Sequence, residues 1–190
     1  PALCRNPATI AVSDPGHEGN RGFRAGRMAM SERRPEVQHI GAGLADVVDP
    51  LLRRLYEYWD GRRAGRAMPA RADIDPLDLR FILGQLILVD VLPGEPRRFR
   101  IRLHGSELVL RAGYELTGKM LDELPTTEFR RLAQRSFTTV AETRQPFHSI
   151  RDRILDSKAK RYEALMLPLS RDGDGVDMLL IGLRYDDMLP

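Results

Sequence analysis

One cysteine, Cys4, is the only thiol in this chain of 190 residues. A single thiol near a chain end excludes an internal disulfide and any cysteine-rich zinc or iron–sulfur site, and it fits a reducing, cytoplasmic setting. Long apolar runs are missing as well. No stretch reaches the ~18 residues needed to cross a bilayer, and the first residues lack the apolar core of a secretory signal. Nor is there an excess of one charge: 30 Lys and Arg stand against 27 Asp and Glu, for a net +3. The two signs interleave, which describes a mixed solvated surface rather than a nucleic-acid face. No glycine-rich phosphate fingerprint opens a helix, there is no internal repeat, and no set of ligands clusters for a metal. What remains is a chain that is 42% hydrophobic, enough for the packed core of one domain, with or without an appendage.

Residues 1–44 carry few large apolar side chains and no sustained period, so they are expected to form a flexible N-terminal extension. Met28-Ala29-Met30 within it reads as a translation start. Arg21, Arg24, Arg27, Arg33 and Arg34 would let this arm bind nucleic acid weakly by charge. The acidic neighbours Glu32 and Glu36 and the lack of interleaved aromatics argue against that role.

From Asp46 the character changes. Asp49-Pro50 is a helix start, an acceptor at the cap followed by a proline whose missing N–H costs nothing there. Val48, Leu51, Leu52, Leu55, Tyr58 and Trp59 follow at helical spacing, and Gly61 and Gly65 end the helix. Asp75-Pro76 repeats the start signal and predicts a short helical turn through about Leu83. Residues 45–84 thus form an N-terminal helix and a lead-in segment.

Residues 85–187 are expected to be the core domain. Gln85–Leu92 is apolar on both faces, as in a strand covered on both sides. Pro93–Pro96 is a turn. Arg98–Leu103 alternates, with one dry and one wet face. Short helical pieces follow over 105–124, broken by Gly105, Gly113 and Gly118. A long helix then begins near Thr126 or Thr127, its inner stripe being Phe129, Leu132, Ala133, Ser136, Phe137, Val140 and Ala141; Gln145-Pro146 stops it. Strands at about 147–155, 161–169 and 176–185 close the chain, joined at Ser157–Lys160 and Arg171–Gly175. The expected fold is α+β: a five-stranded antiparallel sheet with helices on one face and the amphipathic helix 50–60 covering the other.

Trp59 followed by Pro69, Arg71, Asp73, Asp75 and Pro76, then Gly105, then Gly113-Tyr114-Glu115-Leu116-Thr117-Gly118-Lys119, resembles the PAS superfamily. The first group is similar to a stand-alone bacterial, proteobacterial branch with a W…P-x-R-x-D-x-D-P segment. The resemblance covers about residues 50–187. It implies a non-catalytic sensor or adaptor, usually dimeric, with a cavity between sheet and helices. Helix 50–60 exchanged between subunits would put Leu51, Leu55, Tyr58 and Trp59 at the centre of a homodimer.

The pocket candidates are Arg102, His104, Tyr114, Met120, Phe129 and Met166, which would contact a small-molecule ligand. No cofactor is predicted. Flavin photochemistry of the PAS type needs a cysteine after the second strand, and Cys4 is elsewhere; helix-histidine haem ligation needs a histidine that the long helix lacks. Asp90 within an apolar strand requires a partner, and Arg71 is the expected one. The alternative class is a small α+β-cone enzyme, an isomerase or hydrolase, using Asp90 with His104 as its acid/base pair. With the chain ending just after its last strand, a sensor's output is expected to pass to a separate protein in trans.

Overall fold

The computed structural model describes residues 37–124, 127–155 and 158–186, which belong to a single contact unit spanning 35–190. The translation start, Cys4 and the five arginines of the N-terminal arm lie outside the described residues.

In chain order the elements are β1 (Val37–Ile40), α1 (Pro50–Arg62), β2 (Leu86–Leu92), β3 (Arg98–His104), α2 (Ser106–Ala112), α3 (Thr127–Thr143), β4 (Phe147–Leu155), β5 (Lys158–Leu169) and β6 (Met178–Tyr185). Short 3-10 turns sit at Leu44–Asp46, Arg71–Asp73, Leu83–Gln85 and Leu121–Glu123. The strands form one sheet in the order β1-β4-β5-β6-β2-β3, antiparallel throughout.

Among the described residues the sheet has six strands, not the five expected. The sixth comes from the stretch 1–44 that was expected to be flexible: Val37 pairs with Ile150 and Ile40 with Phe147, on the outer edge of β4. Four residues are too few to show a period. Their order comes from β4, whose edge N–H and C=O groups need partners. The chain then turns at Gly41, and the N–H groups of Gly41 and Ala42 both donate to the Pro146 carbonyl, at 2.9 and 3.1 Å. Two smaller differences follow. The helical turn expected after Asp75 is a run of i to i+3 turns, from Asp78 N–H on Asp75 O to Ile82 N–H on Leu79 O, and becomes no α-helix. Lys158–Lys160, expected as a loop, already belongs to β5.

The central strands separate two faces. On one, Leu165, Leu167 and Leu169 of β5 stand opposite Gly182, Leu180 and Met178 of β6. Here α1 lies so close that a Cβ on Gly182 would fall 2.6 Å from the Cδ2 atoms of both Leu52 and Leu55. Only glycine admits that approach. Helix α1 forms because Asp49 caps it, its Oδ1 accepting from the N–H groups of Leu51 (2.8 Å) and Leu52 (3.1 Å), with Pro50 in the first turn. Leu52, Leu55 and Trp59 are buried, and the Trp59 indole N–H donates to the Pro168 carbonyl at 2.9 Å.

On the other face, Tyr162, Ala164 and Met166 of β5 and Ile181 and Leu183 of β6 lie opposite the stripe of α3. Ala133, Ser136, Phe137, Val140 and Ala141 of that stripe are buried. Phe137 meets Phe99 of β3 edge to face at 5.4 Å and 75°, which ties the far strand to the helix.

Candidate functional site

The sequence makes β4 an unusual wall. Strand alternation places Phe147, Ser149 and Arg151 on one face, paired across with Met166, Ala164 and Tyr162. This is the α3 face. Arg151 is 3% exposed, so an arginine stands inside the domain. Its guanidinium carbon lies 5.9 Å from the centre of the Phe147 ring, four residues back along the same strand. The side chain therefore runs along the sheet over the position of Ser149. Neither Arg151 Nε nor the buried Ser149 Oγ has a hydrogen-bond partner among the described residues.

Arg151 also lines a cavity between α3 and the sheet, with about 40 Å³ open to the centre of a water-sized group. Phe129, Leu132 and Phe137 of α3 form its roof; Met166, Ile181 and Leu183 contribute to its floor. The walls are mostly apolar, Ser136 and Tyr162 bring the other side-chain polar groups, and the arginine is the single charged residue among them. A buried guanidinium with an unpartnered Nε among the described residues is costly, and an anion is what such a group can bind. A wider groove of about 470 Å³ lies along Ala42, Tyr56, Arg63 and Gln145, but it is open, and no buried unpartnered side chain lines it.

The α1 face is built oppositely, since its buried charges are matched. Glu163 takes the Val48 N–H on Oε1 (2.7 Å) and the Asp49 N–H on Oε2 (2.9 Å). His148 reaches the same Oε1 through Nε2 at 2.8 Å, and a neutral Nε2–H tautomer satisfies that bond. Asp49 turns its Oδ2 to Arg184 Nε at 3.0 Å. Arg184 donates to Gln85 Oε1 at 2.6 Å, and Gln85 donates to Glu107 Oε2 at 2.6 Å. One continuous polar chain thus joins β4, β5, the cap of α1, β6, the turn before β2, and α2.

The pocket candidates divide. Phe129 and Met166 line the α3 cavity; Arg102, His104, Tyr114 and Met120 do not. Arg102 is half exposed on the other side of β3, with its Nε on Asp90 Oδ1 at 2.6 Å. That bond lifts the guanidinium further above its ordinary range. His104 is buried, and its Nδ1 sits 3.7 Å from Glu115 Oε1. The Glu115 carboxyl is held below the usual carboxylate range, first by the N–H and hydroxyl of Thr117, then by the Leu116 N–H and His104. Met120 makes an isolated bridge to Arg100 at the sheet edge, and Tyr114 packs half-buried against the core.

Asp90 is not bound by Arg71, as expected. Arg100 reaches its Oδ2 through Nη2 at 2.9 Å and Arg102 its Oδ1, because Asp90 stands directly opposite Arg100 in the β2–β3 register. Arg71 instead donates to the Ile74 carbonyl at 2.8 Å. The acid/base pair of the alternative enzyme also fails. His104 stands opposite Ile87, and residues 87 and 90 project from opposite faces of β2, so Asp90 and His104 are separated by the sheet.

The motif residues do structural work. Pro69 O accepts the Ser170 N–H at 3.0 Å. Asp73 takes the Ala70 N–H at 2.8 Å and Arg66 at 2.6 Å, and these two bonds, in that order, hold its carboxyl below the usual range. Asp75 accepts from the Leu77 N–H, and the Pro76 carbonyl from the Leu79 N–H. A Cβ on Gly105 would lie 2.3 Å from the Gly84 carbonyl oxygen. Gly113 ends α2 at φ 74° and Gly118 turns at φ 85°. Of the proposed dimer residues, Leu55 and Trp59 are buried inside this chain, while Leu51 and Tyr58 remain partly open.

An antiparallel sheet with a long helix laid over an internal cavity is the build of a sensor domain. Residues 48–183 match the PAS domain family, and the chain belongs to it. No curated protein matches this chain. PAS domains are non-catalytic sensor modules. Among the described residues no three His, Cys, Asp or Glu are grouped to hold a metal, and α3 contains no histidine that could serve as an axial haem ligand. No helix among the described residues is long and apolar enough to cross a membrane.

Proposed function

We propose that this protein is a PAS sensor or adaptor, of the stand-alone bacterial kind with the W…P-x-R-x-D-x-D-P lead-in, in which occupancy of the α3 cavity sets how α3 packs on the sheet. The observation that carries this is the cavity itself: it lies between the long helix and the central strands of a PAS domain, and Phe129 and Met166 line it. A ligand signals only by preferring one packing over another, and α3 is the element that a ligand there must touch. The polar chain under α1 fixes the opposite face, so the change is directed to α3. Output then goes to a separate protein in the cytoplasm. The working form is a homodimer. Because Leu55 and Trp59 are spent inside the chain, Leu51 and Tyr58 are the α1 residues available for that contact.

Native mass spectrometry of the purified chain tests the proposal. A retained small molecule, or a dimer whose mass exceeds twice the chain, supports it. Protein that is repeatedly empty, and whose melting temperature no member of a metabolite panel moves, contradicts the ligand role.

A further inference from the structure

Three features converge on β4 and remain unused by the packing of the domain: a buried guanidinium, a buried hydroxyl two residues before it on the same face, and a cavity that this guanidinium lines. From them we infer that the α3 cavity binds the carboxylate of a small apolar acid, with Arg151 as its counter-charge and Ser149 as a second donor. This rests on the sensor proposal and names the ligand class for its site.

Arg151 Nε and Ser149 Oγ are unpartnered among the described residues, at 3% and 1% exposure. Buried polar groups are almost always hydrogen-bonded, so two orphans side by side mark a missing partner. The partner must accept from both an N–H and an O–H, and it must carry negative charge to offset the guanidinium. The rest of the wall limits what else the molecule contains. Phe129, Leu132, Met166 and Ile181 offer no polar side-chain atom, and Ser136 and Tyr162 are the hydroxyl-bearing residues of the wall, so a second carboxylate would find no second cation to offset it. The roughly 40 Å³ open to atom centres holds only a short body. Size, charge and wall chemistry together select a short-chain monocarboxylate. Inorganic phosphate and sulfate match the head but leave the apolar walls unused.

The counterpart on the other face shows that this is not how the fold treats a structural arginine. Arg184, 6% exposed, is bonded to Asp49 and Gln85.

The test uses the full chain and thermal-shift titrations with acetate, propionate and butyrate, against ethanol, 1-propanol and 1-butanol as neutral counterparts and inorganic phosphate as head group alone. A ligand that binds only the folded state raises the melting temperature with concentration. The acids are expected to do so and the alcohols to be at least tenfold weaker. Arg151→Met is expected to lose at least tenfold in apparent affinity for the acids while leaving alcohol binding unchanged, and Ser149→Ala to lose less. Arg151→Lys, which keeps the cation, is expected to retain a weakened preference for acids, and it serves if Arg151→Met does not fold. Equal shifts with acids and alcohols, or acid binding that survives Arg151→Met, overturn the carboxylate assignment but leave a ligand cavity. Shifts with phosphate alone overturn the apolar-acid class. No shift with any probe overturns it too; a small molecule retained in native mass spectrometry would still uphold the sensor proposal in that case.

Discussion

The two faces of this sheet carry the same kinds of residue and treat them in opposite ways. Under α1, Asp49, Glu163 and Arg184 are buried, and each charge is met by a partner within hydrogen-bond distance. Under α3, Arg151 is buried as deeply, with no hydrogen bond from its Nε among the described residues. Packing repeats the contrast. Gly182 leaves no room for even a methyl group beneath α1, whereas Ala164 borders open space beneath α3. On one face every buried charge has its partner, although His148 Nδ1 is left without one among the described residues, and on the other a buried guanidinium nitrogen and a hydroxyl are left without partners. A domain that responds to something needs both, a fixed face to hold the fold and a deficient face that an outside molecule can complete.

Breaking the finished face gives the largest expected effect. Asp49→Ala removes the cap of α1 and leaves Arg184 buried without its anion, at a cost of about 3–5 kcal/mol; urea denaturation measures it, and a loss below ~1 kcal/mol would mean that the chain is not a structural unit. Gly182→Ala forces a carbon against Leu52 and Leu55 and is expected to cost about 1–3 kcal/mol, read from the same midpoint. Its mirror, Ala164→Val, adds volume where a cavity exists, so the cost is expected to stay below about 1 kcal/mol. Equal losses for the two substitutions would erase the packing contrast.

The smallest effect sharpens the comparison from outside both faces. Asp73, in the lead-in, has a folded-state pKa lowered from 3.8 by the Ala70 N–H and Arg66. A lowered pKa means that its contribution is fully present above the unfolded value of 3.8 and is lost as pH falls through the folded one. Asp73→Asn is therefore expected to flatten the acid limb of stability below about pH 4. Because the group is exposed, the midpoint at neutral pH is expected to move little. A steep acid limb left intact would place the acid sensitivity elsewhere, Asp172 being the next carboxylate held low by backbone N–H groups.

Much of this was legible in the residues. Asp49-Pro50 and the spacing of Leu52, Leu55 and Trp59 fix α1, and the stripe from Phe129 to Ala141 fixes α3, because long periodic segments with caps are strong signals. Val37–Ile40 was not legible, since a four-residue strand is defined by the edge that it joins. Asp90 was seen to need a partner, but register decides which one, and Arg100 across the ladder was nearer than Arg71. The site divided for the same reason. Phe129 and Met166 lie in the inward phase of their elements, whereas His104 and Arg102 are placed by the β3 register at the sheet's far edge. Arg151 was missed, although Phe147-x-Ser149-x-Arg151 puts it in phase with an inward phenylalanine. The chain Glu163–Asp49–Arg184 was hidden because Asp49 lies more than a hundred residues from both of its partners in sequence.

Urea denaturation of Arg184→Met and Arg151→Met in parallel, without added ligand, tests the contrast between the faces most directly. The substitution is the same and both sites are buried. Arg184→Met strands Asp49 and is expected to lose about 3–5 kcal/mol, whereas Arg151→Met removes a buried guanidinium whose Nε has no partner among the described residues and is expected to leave stability unchanged or to raise it by about 1 kcal/mol. If Arg151→Met destabilises the domain as much as Arg184→Met does, Arg151 is a structural residue and the α3 face is as complete as the other.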